Sequence, residues 1–269
     1  AASGPYVNID MHPAADPEGR LDAIFLSPHK FLGGPGSSGV MLFSSKLYHC
    51  SVPDNPGGGT VLFTSPWDHR YIPNIDTRED GGTPAFLQTM KAAMAMRLKE
   101  TMGTDMMLRR EHELVSRAMN RFRAMPGVHV FEPTEVNRLG IIAILVNGIH
   151  YNLLSQVLND RFGIQVRGGC SCAGTYGHYL FNIDAAKSKG MEQQVLQGHP
   201  EAKPGWVRVS IHPTTTDEEL EYILNGFEEC IRNLTMGDWG KDYDKDWVHK
   251  TAVDHSDATI QKWYTKCVV

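Results

Sequence analysis

Short apolar runs separated by glycine and proline fill the first 80 residues. Longer stretches with apolar residues every third or fourth position follow. Period-two or short apolar runs indicate strands, and 3.6-residue spacing indicates helices. On that basis Tyr6–Ile9, Asp22–Leu26 and Gly39–Phe43 are expected strands, and Val61-Leu62-Phe63 interrupts a loop-rich region over 50–82. Thr83 is the expected N-cap of a helix with Pro84 in its first turn. Phe86, Leu87, Met90, Met94 and Leu98 would form its buried face, and Gly103 its stop. A second helix is expected over 105–124, with Leu114, Val115, Ala118, Met119 and Phe122 inward, before Pro126-Gly127 breaks it.

The pattern then turns mixed. Val128–Phe131, Ile141–Val146, Ile164–Arg167 and Trp206–Ile211 read as strands. Tyr151–Phe162 reads as a helix closed by Gly163. Asp217–Leu234 reads as another, opened by a capping box between Thr216 and Glu219. The change of style near residue 104 predicts two domains, 1–103 and a compact α+β unit over 104–234. A polar and aromatic arm, 235–269, completes the chain.

Composition narrows the class. The chain has 269 residues, 41% apolar, enough for a sizeable core, and a net charge of −5, which gives no reason to expect nucleic-acid binding. No apolar run approaches the roughly 20 residues that span a bilayer. Cys50, Cys170, Cys172, Cys230 and Cys267 are too few and irregular for a secreted disulfide framework, so a cytoplasmic setting is expected.

Four clusters carry candidate chemistry. In Ser27-Pro28-His29-Lys30, followed by Phe31-Leu32-Gly33-Gly34-Pro35-Gly36, an apolar strand delivers an amine to the rim of a sheet. A desolvated lysine there can form a Schiff base, whereas the bland alternative is a solvated surface charge. The order is not that of a nucleotide P-loop, in which the lysine follows the glycines. In Arg78-Glu79-Asp80-Gly81-Gly82-Thr83-Pro84 a helix start offers free N–H groups for phosphate, beside the plain reading of a well-capped helix. Arg167-Gly168-Gly169-Cys170-Ser171-Cys172-Ala173-Gly174 sets two thiols in a glycine-rich loop. One is a candidate nucleophile favoured by Arg167; the alternative is a metal held by Cys170, Cys172 and His178, although Cys-x-Cys is not the usual zinc spacing. Finally, Arg208 sits inside the apolar strand Trp206–Ile211. It either faces water or clamps a carboxylate.

Taken in this order, these motifs resemble the class V aminotransferase family, in its cysteine desulfurase and selenocysteine lyase branch, from residue 1 to about 234. The resemblance implies an α/β fold, that of the PLP-dependent transferases of fold type I. The chain would hold part of the large mixed-sheet domain and a C-terminal α+β small domain. It implies pyridoxal 5'-phosphate (PLP) on Lys30, with Ser27, His29 and Thr83 about the phosphate, Thr83 serving the neighbouring subunit of a homodimer. It implies Cys172 as nucleophile and Arg208, with Arg167, on the substrate carboxylate. Cysteine or selenocysteine would be cleaved to alanine and sulfur passed to an acceptor protein. No metal is implied. In that family an aspartate for the pyridine nitrogen would precede Ala1, and Ala2 stands where a polar group is common. The chain is therefore expected to be an N-terminally truncated fragment that binds PLP poorly or is inactive alone. Another class V activity, aminotransferase or epimerase, and a non-catalytic metal-binding or scaffold protein are the alternatives.

Overall fold

The computed structural model describes residues 3–132, 134 and 137–251. The chain divides between Leu108 and Arg109 into two compact units.

In the first unit β1 (Ala23–Leu26) pairs antiparallel with β2 (Val40–Phe43), in the register Ala23↔Phe43 to Leu26↔Val40. A 3-10 turn, Pro28–Lys30, follows β1 at once. β3 (Val61–Thr64) and β4 (His69–Tyr71) form a second antiparallel pair. Then come α1 (Ile75–Glu79), capped by the Asn74 side chain accepting from the Thr77 N–H, and α2 (Phe86–Met102). Three expectations fail here. Tyr6–Ile9 is not a strand: Tyr6 and Val7 N–H groups bond back to the Ser3 carbonyl, closing a turn. α1 was hidden by its short, polar sequence. Thr83 does not cap α2, which begins three residues later behind Ala85, with no side-chain cap.

The apolar stripe of α2 is also not where amphipathicity puts it. Phe86, Leu87, Met90, Met94 and Leu98 are all exposed, and the buried positions are Ala92 and Ala95. The reason is close approach. The turn bearing Lys30 packs on α2, and small alanines admit it. Toward the helix end, Lys99 Nζ donates to the Gly4 carbonyl at 2.7 Å and to that of Val7. That partial burial pulls the Lys99 pKa below the ordinary lysine value, because desolvation disfavours the cation.

The second unit is built on α3 (Thr104–Ala124), from Arg109 onward, with β5 (Val128–Val130), β6 (Ile141–Val146), α4 (Tyr151–Phe162), β7 (Arg167–Gly169), α5 (Gly174–Leu180), α6 (Ala185–Leu196), β8 (Trp206–Ser210) and α7 (Asp217–Thr235). Its strands form one antiparallel sheet in the order β5-β6-β8-β7. Leu114, Val115, Ala118, Met119 and Phe122 of α3 are fully buried, as their spacing predicts, and meet Leu220, Leu224 and Phe227 of α7. Phe122 and Phe227 pack edge to face at 5.1 Å. The Thr216–Glu219 capping box forms, and Gly163 ends α4 in the left-handed region at φ 66°. The strand expected over Ile164–Arg167 instead pairs over Arg167–Gly169, because Ile164 turns into the core. Helices α5 and α6 were missed, since neither has a strong apolar stripe. After α7, Tyr243 is buried, Trp239 packs on the core and Arg161 lies over the Trp239 ring at 4.2 Å. Residues 252–269, including Cys267, lie outside the described residues. No helix among the described residues is long and apolar enough to cross a membrane.

Candidate active site

The site residues fall in both units, and each set is built locally. In the first unit, β1 ends at Leu26 and Pro28, whose ring pre-sets φ, starts the 3-10 turn. The Lys30 N–H donates to the Ser27 carbonyl at 3.0 Å and the Phe31 N–H to that of Pro28 at 2.9 Å. Phe31 is buried and anchors the turn, which leaves His29 and Lys30 exposed at its tip. The chain then doubles back so closely that a Cβ on Gly34 would lie 1.9 Å from the Pro28 carbonyl oxygen. Only glycine fits there. The Ser38 N–H donates to the Gln88 carbonyl at 3.3 Å, fastening the far side of the turn to the first part of α2.

Thr83 precedes that same helix. Its loop is held by Arg78, whose Nη1 donates to the Ile72 carbonyl at 2.9 Å, Nη2 to the Cys50 carbonyl at 3.2 Å, and whose guanidinium lies over the Tyr48 ring at 5.2 Å. The Tyr48 hydroxyl donates to Glu79, which also accepts from the Asp54 N–H at 3.1 Å. The Tyr48 hydrogen bond lowers the Glu79 pKa and raises that of Tyr48. Tyr48 lies 30 residues from Arg78 and Asp54 lies 25 from Glu79, separations no local pattern reveals.

The donor chemistry of this unit fits PLP. Lys30 presents an exposed primary amine, the group that an aldehyde would condense with. The side chains of Ser27, His29 and Thr83 have no hydrogen-bond partner among the described residues, and α2 begins without a side-chain cap. An uncapped helix start leaves N–H groups aimed outward, which is an anion site when donors stand beside it.

In the second unit, β7 and β8 place Arg167 directly opposite Arg208. Val207 and Val209 point into the core, so Arg208 stands on the other face, as alternation predicts. The Arg208 Nε is buried and has no hydrogen-bond partner among the described residues. Like charges set opposite one another across strands are unfavourable, and an anion between them removes the conflict. Beside them, the loop after β7 folds into a tight turn: the Ala173 N–H donates to the Cys170 carbonyl at 2.8 Å. Its two central residues, Ser171 and Cys172, have φ of 52° and 65°. Positive φ at both centres is the type I′ arrangement, which non-glycine residues adopt at a cost. The turn lifts Cys172 into the open, and Arg167 Nη2 donates to its Sγ at 2.9 Å. The close approach of β7 to the strand start behind it depends on Gly205, where a Cβ would meet Tyr151 at 2.6 Å and Gly169 at 2.7 Å. His178, the third member of the metal alternative, is engaged at both ring nitrogens, by the Gly174 carbonyl at 2.9 Å and Ser188 Oγ at 3.0 Å. No metal-ligating group of three occurs among the described residues.

The family described as Aminotransferase class-V matches residues 12–223. The chain belongs to the class V aminotransferase family. A probable cysteine desulfurase of Staphylococcus aureus (strain N315) is 29% identical over 229 residues, which are 85% of this chain and 48% of that protein. A probable cysteine desulfurase of Staphylococcus epidermidis (strain ATCC 12228) is 29% identical over 175 residues, 64% of this chain and 40% of its own. The chain thus spans about half the length of the curated relatives it matches. Among solved structures it is similar to the apo cysteine desulfurase of Thermococcus onnurineus NA1, with TM-score 0.63 and 24% identity over 81% of this chain and 49% of that one. The cysteine desulfurase CsdA of Escherichia coli gives TM-score 0.62 at 20% identity, over 82% and 49%. The fold is therefore that of the PLP-dependent enzymes of fold type I, and PLP is the cofactor of this family of enzymes.

Proposed function

We propose that this class V chain serves a PLP-dependent cysteine desulfurase, cleaving the C–S bond of cysteine and taking the sulfur on Cys172. The observation that carries this reading is the 2.9 Å contact between Arg167 and the Cys172 thiol, on the turn that follows the strand setting Arg167 opposite Arg208, whose Nε has no hydrogen-bond partner among the described residues. A guanidinium donating at that distance fixes the position of the sulfur that would attack the substrate. Arg208, with Arg167 across the sheet, would take the substrate carboxylate in a forked hydrogen bond. Lys30 would bind PLP and move a proton at the substrate Cα. Ser27, His29 and Thr83, with the start of α2, would hold the phosphate. When bound, PLP supplies the electron sink that makes the Cα proton removable.

The reading extends to selenocysteine as a second substrate, to a sulfur-acceptor protein, and to a homodimer in which Thr83 serves the neighbouring copy's cofactor. It assigns residues 1–103 to the cofactor-bearing domain, 104–234 to the small domain and 235–269 to an arm. A reducing, cytoplasmic compartment would keep the exposed thiols of Cys50 and Cys172 free.

The test uses the complete gene product. Cys172→Ala is expected to retain bound PLP and lose sulfide and persulfide formation by at least about 100-fold, since a covalent nucleophile is removed. Lys30→Ala is expected to lose the visible band of the bound cofactor. Unchanged sulfide release by the Cys172 variant would overturn the desulfurase reading in favour of another class V reaction.

A further inference from the structure

The second thiol of the loop, Cys170, has no part in the reaction just described. It opens the same tight turn in which Cys172 is the third residue, closed by the 2.8 Å bond from the Ala173 N–H to the Cys170 carbonyl. Two Cα steps of about 3.8 Å, folded by that turn, bring the Cα atoms of Cys170 and Cys172 into the roughly 4.4–6.8 Å range that a disulfide spans. Cys170 is half-buried, with its Cβ side against Gly177. Cys230 cannot play this part, because it is fully buried in the core and burial pushes its thiol up to about 12. Cys50 belongs to the first unit.

We propose that Cys170 is a resolving thiol for Cys172: it attacks the Cys172 persulfide and releases the transferred sulfur as hydrosulfide. The Cys170 thiolate adds to the Cys172 Sγ, the bond between Sγ and the outer sulfur breaks, and the outer sulfur leaves with the electron pair as HS⁻. Two cysteine sulfurs are oxidised to a Cys170–Cys172 disulfide and one sulfane sulfur is reduced to sulfide. A dithiol reductant then restores both thiols. The small ring closed by a one-residue spacer makes such a disulfide strained, and strained disulfides are the readily reduced ones. Arg167, at 2.9 Å from the Cys172 Sγ, donates a hydrogen bond that holds this sulfur in place as it reforms on reduction. The two left-handed residues between and at the thiols are the backbone distortion that brings them together.

The inference rests on Cys172 carrying a persulfide, so its test loads sulfur without turnover. The reduced protein is treated with inorganic polysulfide, washed, and digested with trypsin without reductant. Cleavage after Arg167 and Lys187 puts Cys170 and Cys172 alone in one peptide, Gly168–Lys187. The expected product is this peptide lighter by two hydrogens, with about one hydrosulfide released per chain, and its return to the dithiol form on adding a dithiol. Cys170→Ser should leave the peptide heavier by one sulfur and release hydrosulfide several-fold less. A wild-type peptide that keeps its extra sulfur as long as the Cys170 variant does would overturn the proposal, and this readout stands even if the variant folds poorly. Should the desulfurase reading alone fail, the linked peptide would still form from polysulfide while cysteine yields no sulfide.

Discussion

The two units treat their apolar residues in opposite ways. In the second, the stripes of α3 and α7 close on the sheet and leave Leu114, Phe122, Leu220 and Phe227 with essentially no exposure. In the first, Phe25, Leu62, Phe63, Trp67, Phe86, Leu87, Met90 and Met94 all face outward, and the buried apolar side chains are few. The same kind of sequence pattern therefore yields a finished core in one place and an open apolar surface in the other. An amphipathic stripe says that a face needs a partner; it does not say that the partner lies within the same stretch of chain. Cofactor-anchoring candidates sit on the open unit and the sulfur-handling candidates on the closed one. The thiol turn thus has a stiff platform, whereas the lysine turn is held by local devices such as Phe31 and the alanines of α2.

The contrast can be tested with three substitutions. The largest effect is expected for Phe227→Ala. Removing a fully buried ring that packs edge to face with Phe122 should cost about 3–5 kcal/mol, read by denaturant unfolding of the second unit. A cost below about 1 kcal/mol would mean that the core is not closed. An intermediate effect is expected for Glu111→Gln. Glu111 is 1% exposed on α3, and one of its carboxyl oxygens has no partner among the described residues. Burial raises its pKa, partly offset by a hydrogen bond from the Gly140 backbone. The folded state then binds a proton more readily than the unfolded chain. Below the unfolded pKa both states are protonated and nothing is lost. As pH rises above that value, ionising the buried group costs stability. Glu111→Gln should therefore unfold with wild type near pH 4 and gain about 1 kcal/mol by pH 7. A gain that is the same at both pH values would contradict this account. The smallest effect is expected for Met94→Ser, within about 0.5 kcal/mol, because the side chain is already exposed. A loss as large as that of Phe227→Ala would show that the α2 face is covered in solution and would dissolve the contrast.

Long elements with clean periods are legible from residue type and spacing. The inward residues of α3, the bounds of α4 and the capping box of α7 follow from periodicity and end chemistry alone. The strand bearing Arg208 is legible because a charge inside an apolar run forces the question of its face. What escapes such a reading is set by tertiary geometry. Thr83 looks like an N-cap by type, yet the backbone turns at Gly82 (φ 93°) and the helix waits until Phe86. The Tyr48–Arg78–Glu79 cluster joins residues about 30 apart. The Arg208 Nε, without a hydrogen-bond partner among the described residues, and the left-handed backbone of Ser171 and Cys172 are properties of packing and of dihedral angles, which residue type does not encode.

Gly34 carries a consequence for heredity. Its hydrogen side chain lets the chain pass beneath the Pro28 carbonyl, where a Cβ would sit at 1.9 Å. Every other amino acid has a Cβ, so every missense change in that codon pushes on the segment that holds Lys30. Codon 34 has no harmless neighbours, and among natural variants of this gene it is a place to look for silent changes only.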